Sequence, residues 1–257
     1  MTTRTAYCLL DTDGRMLAAD DERRPFYAAS TVKLALMAAV ARAVDAGELT
    51  WADELTVRTS FPSGAAGAPP FEVPVADRDE RMPAEGTPLS VLEIVHAMIR
   101  RSSNEATNLL AGAVGLSAVG DILRTAGDQG CRMERLIGDL AAAGAGATNE
   151  VTAHGLARLM AAVVGGTLAS PAATRVMIET LEGQELATIA EVLRPGTPWG
   201  SKSGWVEHID HDVAFVGGPG TASHRILAVC TSGFPGRSGQ DEIRRVATAL
   251  LAESNCL

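Results

Sequence analysis

Two residues early in the chain have the types and the spacing of a nucleophile and its base. Ser30 and Lys33 stand three positions apart, and Lys33 is the only charged residue between Ser30 and Val40. Positions three apart share one face of a helix, so the hydroxyl and the amine can meet across one turn. A serine hydroxyl needs an adjacent base to attack a carbonyl carbon. The pair therefore predicts acyl transfer through a covalent serine intermediate.

Taken alone, this pair is weak evidence, because Ser-x-x-Lys arises by chance about once in a chain of this length. Ser30 could be a helix cap and Lys33 a surface lysine. Two further motifs follow in order, Ser102-Ser103-Asn104 and Lys202-Ser203-Gly204. The first of these lies between two predicted helices, where a serine could also simply cap the second helix. The other lies on a predicted strand and supplies a second ammonium, which would lower the pKa of Lys33.

The elements that must position these motifs can be predicted from their patterns. Residues 5–11 and 15–19 are strand-like runs around Asp13-Gly14, which predicts a hairpin. A largely apolar helix is expected from Ser30 to about residue 46, and further helices at 90–101, 105–114, 119–126, 152–164, 171–181 and 186–193. Strands at 199–205, 212–216 and 224–231 and a helix at 240–252 follow. Strands at both ends and helices between them predict an α+β fold whose sheet is assembled from the two termini.

Composition limits the classes of function. The 257 residues are 46% hydrophobic, which supports a large core, and the net charge of −9 disfavours binding to nucleic acid or to an anionic membrane. No run reaches the roughly 18 apolar residues needed to span a bilayer. No secretory signal precedes Asp11, and Cys8, Cys131, Cys230 and Cys256 lack metal-site spacing. We therefore expect a cytoplasmic protein with reduced thiols and a small-molecule partner.

The three motifs, in this order and on these elements, resemble the signature of the serine β-lactamase and penicillin-binding protein superfamily, most closely the class A β-lactamases. The resemblance spans nearly the whole chain and includes Asn108 and Asp212-Val213-Ala214. It implies a five-stranded antiparallel sheet flanked by helices, as an α/β sandwich, with an inserted all-α domain and the active site in the cleft between them. We expect residues 1–55 and 168–257 to form the α/β domain and residues 56–167 the helical domain.

The resemblance also assigns the catalytic roles. Ser30 would be the acylated nucleophile and Lys33 its proton acceptor or relay. Ser102 would pass a proton to the leaving nitrogen or oxygen. No metal and no cofactor is implied.

Substrate binding is assigned in the same way. Lys202 and Ser203 would bind a carboxylate of the substrate, and Asn104 would hold its amide. Gly204 completes the third motif, and the backbone N–H groups of Ser30 and Trp205 would form the oxyanion hole. Asn108 is a further candidate, with simple helix packing as the alternative.

The chain departs from the family in residues 131–149, a predicted Ω-type loop. Class A β-lactamases carry there a Glu, followed three residues later by Leu-Asn, and that Glu activates the water that releases the acyl group. Aligning the loop entrance at Glu134 puts Ile137 in place of that Glu and Ala141 in place of the Asn. Asp139 is a candidate replacement and Glu134 a poorer one. We therefore expect acylation of Ser30 but weak or absent turnover of β-lactams.

A competing motif is His208-Ile209-Asp210-His211-Asp212, which resembles a metal-binding cluster. Its histidines follow one predicted strand and precede the next, so a hairpin turn would separate them rather than make them converge on one ion. His208 and His211 remain candidates for contact with substrate.

The leading hypothesis is a serine hydrolase that acts on a small amide, lactam or ester bearing a carboxylate. The alternatives are a non-catalytic or single-turnover penicillin-type binder, a biosynthetic acyl transferase or transpeptidase, and a metallohydrolase.

Overall fold

A computed structural model describes residues 2–252, and its regular elements divide between strands and helices. The strands are Arg4–Leu10 (β1), Met16–Asp20 (β2), Phe26–Tyr27 (β3), Glu54–Thr56 (β4), Ser60–Phe61 (β5), Phe71–Glu72 (β6), Pro88–Ser90 (β7), Arg132–Met133 (β8), Asn149–Val151 (β9), Trp199–Val206 (β10), Ile209–Val216 (β11) and Arg225–Ser232 (β12). The α-helices are Lys33–Asp45 (α1), Val91–Arg100 (α2), Asn104–Val114 (α3), Leu116–Ala126 (α4), Leu140–Gly144 (α5), Ala153–Val164 (α6), Pro171–Glu182 (α7) and Ser238–Leu251 (α8). Short 3-10 turns occur at Ala29–Val32, Val75–Asp77 and Ile189–Val192.

The largest sheet is built from both ends of the chain. Its five antiparallel strands stand in the order β10-β11-β12-β1-β2. β1 pairs with β12 in a register that sets Ala6 beside Cys230 and Cys8 beside Ala228, and it returns into β2 as a hairpin. The predicted α+β fold with its five-stranded antiparallel sheet is confirmed.

Both faces of this sheet are covered by helices because its inner strands are apolar on both sides. In β11, Val213 and Phe215 belong to the core that α1 and α6 share, while Ala214 and Val216 belong to a second core against α8. Alternate residues of a strand point to opposite faces, so such an uninterrupted apolar run is typical of a strand buried twice. β10 ends the sheet on one side and lies against the turn Ala29–Val32.

Helix α1 runs through the centre of the molecule, and every residue from 33 to 41 in it is buried. Its uniformly small and apolar composition predicts this. The α-helix begins at Lys33, three residues later than expected, because Ala29–Val32 form a 3-10 turn. In this turn the hydroxyl of Thr31 donates to Ala28 O over 2.6 Å. Ser30 therefore lies before α1, and its side chain does not cap the helix.

Two segments differ from the sequence prediction. Residues 186–193 do not form an α-helix. Only Ile189–Val192 adopt a helical conformation, a short 3-10 turn. The cause is Asp212, whose carboxylate accepts hydrogen bonds from Thr188 N and Ile189 N at 2.8 Å each and ties this segment to β11. The loop 131–149 is more regular than expected, since it contains α5. Helix α2 begins with a capping box, in which the Ser90 side chain accepts from Glu93 N and the Glu93 side chain accepts from Ser90 N.

Helix α6 packs against β1, β11 and β12, although residues 56–167 are expected to belong to the inserted helical domain. Helices α2, α3 and α4 pack against one another and against α1. The division of the chain into two domains stays a prediction.

Between residues 2 and 252, no single helix is long and apolar enough to cross a membrane, and α3 with α4 would reach the length only as a pair bent by 92°. Cys8, Cys131 and Cys230 are free and buried. Burial raises the thiol pKa to about 12 for Cys8 and to about 11 for Cys131. Cys256 lies outside the described residues. The cytoplasmic location stays a prediction.

Candidate active site

Ser102 stands between two fully buried lysines. Lys33 is the first residue of α1 and Lys202 lies within β10. Lys33 Nζ lies 3.3 Å from Ser102 Oγ, and Lys202 Nζ lies 3.2 Å from the same oxygen. Ser102 also has a left-handed backbone, with a φ of 62°. Such strain costs a non-glycine residue about 1–3 kcal/mol and clusters at functional sites. The structure thus brings one residue from each motif together at a single hydroxyl.

Burial and repulsion between the two amines favour a neutral Lys33. Burial, and then the positive charge of Lys202, lower the pKa of Lys33 well below its ordinary value, while Glu105 and Asp79 act to raise it. Burial also lowers the pKa of Lys202 to about 7, against the opposing effect of Asp212. Two ammonium groups around one hydroxyl are unfavourable in a buried site, so one of the amines gives up its proton.

Lys33 has two short contacts with acceptors. Its Nζ donates to Ser102 O over 2.6 Å and to Asn104 Oδ1 over 2.8 Å. In the neutral amine that the lowered pKa favours, the lone pair can take a proton. Within residues 2–252, Lys33 Nζ is also near Ser102 Oγ and, at 3.5 Å, Ser103 O, but makes no hydrogen bond to Ser30. Catalytic hydrogen bonds often tighten only in the substrate complex.

Ser30 is partly exposed and lines a cleft of about 410 Å³ together with Ser102 and Trp205. Gly204 brings β10 against the turn that carries Ser30. A Cβ atom on Gly204 would lie only 2.6 Å from Ser30 N and 2.8 Å from Thr31 N, so no other residue type fits without a shift. Trp205 follows Gly204 on this edge strand, and the oxyanion hole expected from the backbone N–H groups of Ser30 and Trp205 stays a prediction.

A second cavity of about 720 Å³ adjoins the first, since Trp205 and Val206 line both. Ser203 lines this second cavity, and its buried Oγ has no hydrogen-bond partner among residues 2–252. Lys202 Nζ donates to Ser203 O over 2.6 Å. A buried hydroxyl without a partner is costly unless a ligand or water supplies one. The binding of a substrate carboxylate by Ser203 and Lys202 stays a prediction.

Asn104 is held from two sides within the protein. Its Oδ1 accepts from Lys33, and its Nδ2 donates to Asp77 O over 2.9 Å. One of its two amide hydrogens is thereby bound to the segment 61–88, and one is left. The structure shows Asn104 as a residue that positions Lys33. Its contact with a substrate amide stays a prediction.

The segment 61–88, a stretch without clear periodicity in the sequence, forms one wall of the cleft. Its contribution comes from Val73, Pro74, Ala76, Asp77, Arg78 and Asp79. The wall is fixed to the helical core through Arg101, whose Nε lies 2.8 Å from Asp79 Oδ2. It is therefore a built part of the cleft and not a distant excursion.

The Ω loop, residues 131–149, presents an alkyl side chain to the cleft. Ile137 lines the cleft with Ser30. Fully buried Asn108 holds the backbone of Ile137 in place, since Asn108 Nδ2 donates to Ile137 O and Asn108 Oδ1 accepts from Ile137 N, each over 2.9 Å. Asn108 thus positions the loop.

The two carboxylates considered as replacement bases lie elsewhere in the loop. Asp139 is buried and caps α5 through Ala142 N, and it accepts hydrogen bonds from Ser63 Oγ and Gly64 N. Burial acts to raise the pKa of Asp139, but these hydrogen bonds outweigh it and lower the pKa. Glu134 accepts from Thr148 N on the exposed side of the loop. Both carboxylates hold loop structure and neither lines the Ser30 cleft.

The two histidines of the competing motif lie in different elements, since His208 is in the β10–β11 turn and His211 is within β11, not before that strand as expected. His211 is buried, its Nε2 lies 2.9 Å from Tyr27 O, and burial lowers its pKa to about 4. His208 lies in the turn with a φ of 64°. Both residues line the second cavity. In the part of the chain that the structure describes, no three His, Cys, Asp or Glu side chains are grouped to hold a metal ion.

Two functional residues were not found from the sequence. Glu105, directly after the second motif, is buried, and its Oε2 accepts from Ser103 Oγ at 3.2 Å and from Asp79 N at 3.3 Å. Asn149 fixes the entrance of the Ω loop, since its Oδ1 accepts from Glu134 N and Arg135 N. A carboxylate next to a catalytic motif could have signalled Glu105. Nothing in the local sequence signals Asn149.

Comparisons with known proteins agree with this geometry. The model of the Beta-lactamase enzyme family matches residues 3–253. No curated protein matches the chain. A solved β-lactamase from Sphaerobacter thermophilus DSM 20745 is 28% identical, over 97% of this chain and 92% of its own, with a TM-score of 0.77. A β-lactamase from Xanthomonas campestris pv. campestris str. ATCC 33913 is 25% identical over 98% and 90%, also with a TM-score of 0.77.

A further solved structure, PBP-A, is 21% identical over 97% of this chain and 89% of its own, with a TM-score of 0.80, and shows the same fold. A mutant of PBP-A has been solved as an acyl-enzyme complex with penicillin G.

Proposed function

The chain belongs to the beta-lactamase enzyme family, and we propose that it is a serine hydrolase that forms an acyl-Ser30 intermediate with a small amide, lactam or ester. The observation that carries this proposal is the Ser102 hydroxyl, which lies within hydrogen-bond reach of both Lys33 and Lys202 in the cleft that Ser30 lines. A proton can pass along this row of groups without leaving the protein.

In the acylation step, neutral Lys33 takes the proton of the Ser30 hydroxyl as Oγ attacks the carbonyl carbon of the substrate. The negative charge on the carbonyl oxygen is stabilised by the N–H groups of Ser30 and Trp205. The proton then moves from Lys33 through Ser102 to the leaving nitrogen or oxygen. The bond to the leaving group breaks, and the acyl group stays on Ser30.

Substrate orientation would come from the second cavity. The ammonium of Lys202 and the partnerless hydroxyl of Ser203 bind a carboxylate on the leaving-group side. Because burial lowers the pKa of Lys202 to about 7, a bound carboxylate also keeps this amine charged.

Release of the acyl group is the slower half of the reaction. Ile137 lines the cleft at the place where an Ω-loop carboxylate would activate water, and an alkyl group cannot accept a proton. We therefore propose weak or absent turnover of β-lactams.

Intact-mass measurement tests the proposal. The protein is incubated with benzylpenicillin and with p-nitrophenyl butyrate, beside the variants Ser30→Ala and Thr2→Ala. Benzylpenicillin is chosen because a mutant of PBP-A, which shares the fold, has been solved as an acyl-enzyme complex with penicillin G. We expect a mass increase of one acyl group in the parent and in Thr2→Ala, and none in Ser30→Ala. An adduct that persists in Ser30→Ala would show that another residue is the nucleophile.

A second candidate, a single-turnover penicillin-type binder, is favoured by the same Ile137. The two candidates differ in how long the adduct survives after unbound penicillin is removed. Ile137→Glu restores a carboxylate on the loop, and Ile137→Gln is the matched control with similar size and no base. Faster loss of the adduct in Ile137→Glu alone supports the binder. Rapid loss in the parent protein supports an enzyme with another means of release.

A further inference from the structure

Exposed hydrophobic side chains are concentrated around the cleft. Seven large hydrophobic residues are well exposed within residues 2–252, and two of these, Met16 and Leu17, lie on the distant strand β2. Three of the other five line the Ser30 cleft, namely Leu140 at 76%, Trp205 at 49% and Val206 at 42% exposure. We call these three residues the apolar rim. Contiguous exposed apolar surface on a protein marks a place that binds something.

The rim stands on walls that are already joined to one another. Gly138 of the Ω loop packs against the segment 61–88, since a Cβ on Gly138 would lie 3.5 Å from Phe71 and 3.7 Å from Pro74. Asp139 adds hydrogen bonds to Ser63 and Gly64 in the same segment. Leu140 therefore sits on a firm wall of the cleft that Ile137 also lines. A preformed apolar wall binds without the cost of ordering it.

The charged side chains that line the same cleft are largely satisfied within the protein. Asp79 pairs with Arg101 at 2.8 Å, and Arg78 pairs with Glu72 at 3.1 Å. Arg135 donates to Tyr27 Oη at 3.1 Å. Together with the bond from Asn104 to Asp77 O, these contacts take up much of the wall's polar capacity.

The cleft combines the apolar rim, the alkyl side chain of Ile137 and charged groups that pair within the protein. From this juxtaposition we infer that the substrate carries a bulky apolar acyl group, which the protein recognises by burial rather than by hydrogen bonds. The inference rests on the proposed function and names its substrate class, esters or amides of medium-chain or arylalkyl carboxylic acids. The carboxylate-binding groups Lys202 and Ser203 lie on the other, leaving-group side.

A series of p-nitrophenyl esters tests the inference, from acetate through butyrate and hexanoate to octanoate. A fully buried methylene strengthens binding by about fourfold, and roughly half of this is expected in a cleft open on one side. After correction for the hydroxide-catalysed rate of each ester, kcat/KM should rise about twofold per methylene, or roughly 16-fold from acetate to hexanoate. An N-acetylglycyl ester has an amide beside the carbonyl. Its kcat/KM should exceed that of acetate by a smaller factor than the kcat/KM of hexanoate does.

Two matched variants locate the effect. Leu140→Ser should lower kcat/KM for hexanoate about threefold or more and leave acetate unchanged. Leu17→Ser, a comparably exposed leucine on β2, should change neither. A flat chain-length series, or a larger gain from the acetylglycyl ester, overturns the inference while adduct formation on Ser30 keeps the proposed function. If no ester acylates Ser30, the proposed function fails and the inference fails with it.

Discussion

Adding one methyl group at Gly204 should disable the site without touching any catalytic side chain. In Gly204→Ala the new Cβ would lie 2.6 Å from Ser30 N, 2.8 Å from Thr31 N and 3.1 Å from Ser30 Cα. Carbon and nitrogen atoms at rest stand about 3.5 Å apart, so β10 and the Ser30 turn must separate by roughly 1 Å. All three close atoms belong to the backbone, so no flexible side chain can move aside instead.

The expected loss of acylation rate follows from the displacement of the two oxyanion donors, the N–H groups of Ser30 and Trp205. Displacing a reacting group by about 1 Å costs roughly 100-fold in rate, and losing one oxyanion donor costs about 100- to 1,000-fold. We therefore expect the acylation rate of Ser30 to fall about 100- to 1,000-fold, which corresponds to about 3–4 kcal/mol in the barrier. Overpacking should lower the free energy of unfolding by about 1–3 kcal/mol, so most of the protein stays folded.

Stopped-flow release of p-nitrophenol measures the acylation rate, and urea unfolding measures stability. Gly112→Ala is the matched control, because the new Cβ would make only an ordinary contact, 3.5 Å from Arg58, on an exposed face of α3. It should leave the rate unchanged and raise stability by up to about 1 kcal/mol. A folded Gly204→Ala protein that acylates at the parent rate would refute the oxyanion assignment.

Three further predictions concern the supports of the site. Asp139→Ala removes the acceptor for Ser63 Oγ, Gly64 N and Ala142 N. The free energy of unfolding, measured with urea, should therefore fall by about 2–4 kcal/mol. A loss under about 0.5 kcal/mol would contradict this. The pKa of Asp139 is lowered on folding, so its contribution should be present above about pH 4 and be lost as the pH falls further. The pKa of Lys202 is lowered from 10.5 to about 7, so the folded state binds fewer protons than the unfolded state between these values, and stability should rise with pH there. Lys202→Met should flatten that rise in urea titrations, and an unchanged slope would contradict the shift. Asn108→Ala breaks both bonds to the Ile137 backbone, so hydrogen exchange at the Ile137 amide should accelerate at least tenfold, whereas unchanged exchange would show that the loop is held by other contacts.

Much of the site could be predicted because its chemistry is carried by local motifs on strongly patterned elements. The apolar composition of α1 predicts a buried helix, and Lys33 is then a buried amine that needs partners. The strand pattern around Lys202 predicts that this second lysine lies on the sheet. What the motifs do not reveal is how they meet, which the structure shows at Ser102 Oγ.

The parts that could not be predicted are held by contacts between residues distant in sequence. Residues 186–193 have a helical pattern, but Asp212, more than twenty residues later, binds their backbone and prevents the helix. The sequence of the segment 61–88 shows no helical or strand periodicity. Its short strands and turn are held in place by Arg101 and Asp139, which lie outside the segment. Tertiary hydrogen bonds of this kind override local propensity, and no window of sequence contains both partners.

The central claim is that the site forms an acyl-enzyme readily and breaks it slowly. Pre-steady-state release of p-nitrophenol from p-nitrophenyl hexanoate tests both halves in one trace. We expect a burst of one equivalent per protein followed by a much slower steady rate, and no burst in Ser30→Ala. A linear trace from the first turnover in the parent protein, or a full burst in Ser30→Ala, would contradict the account.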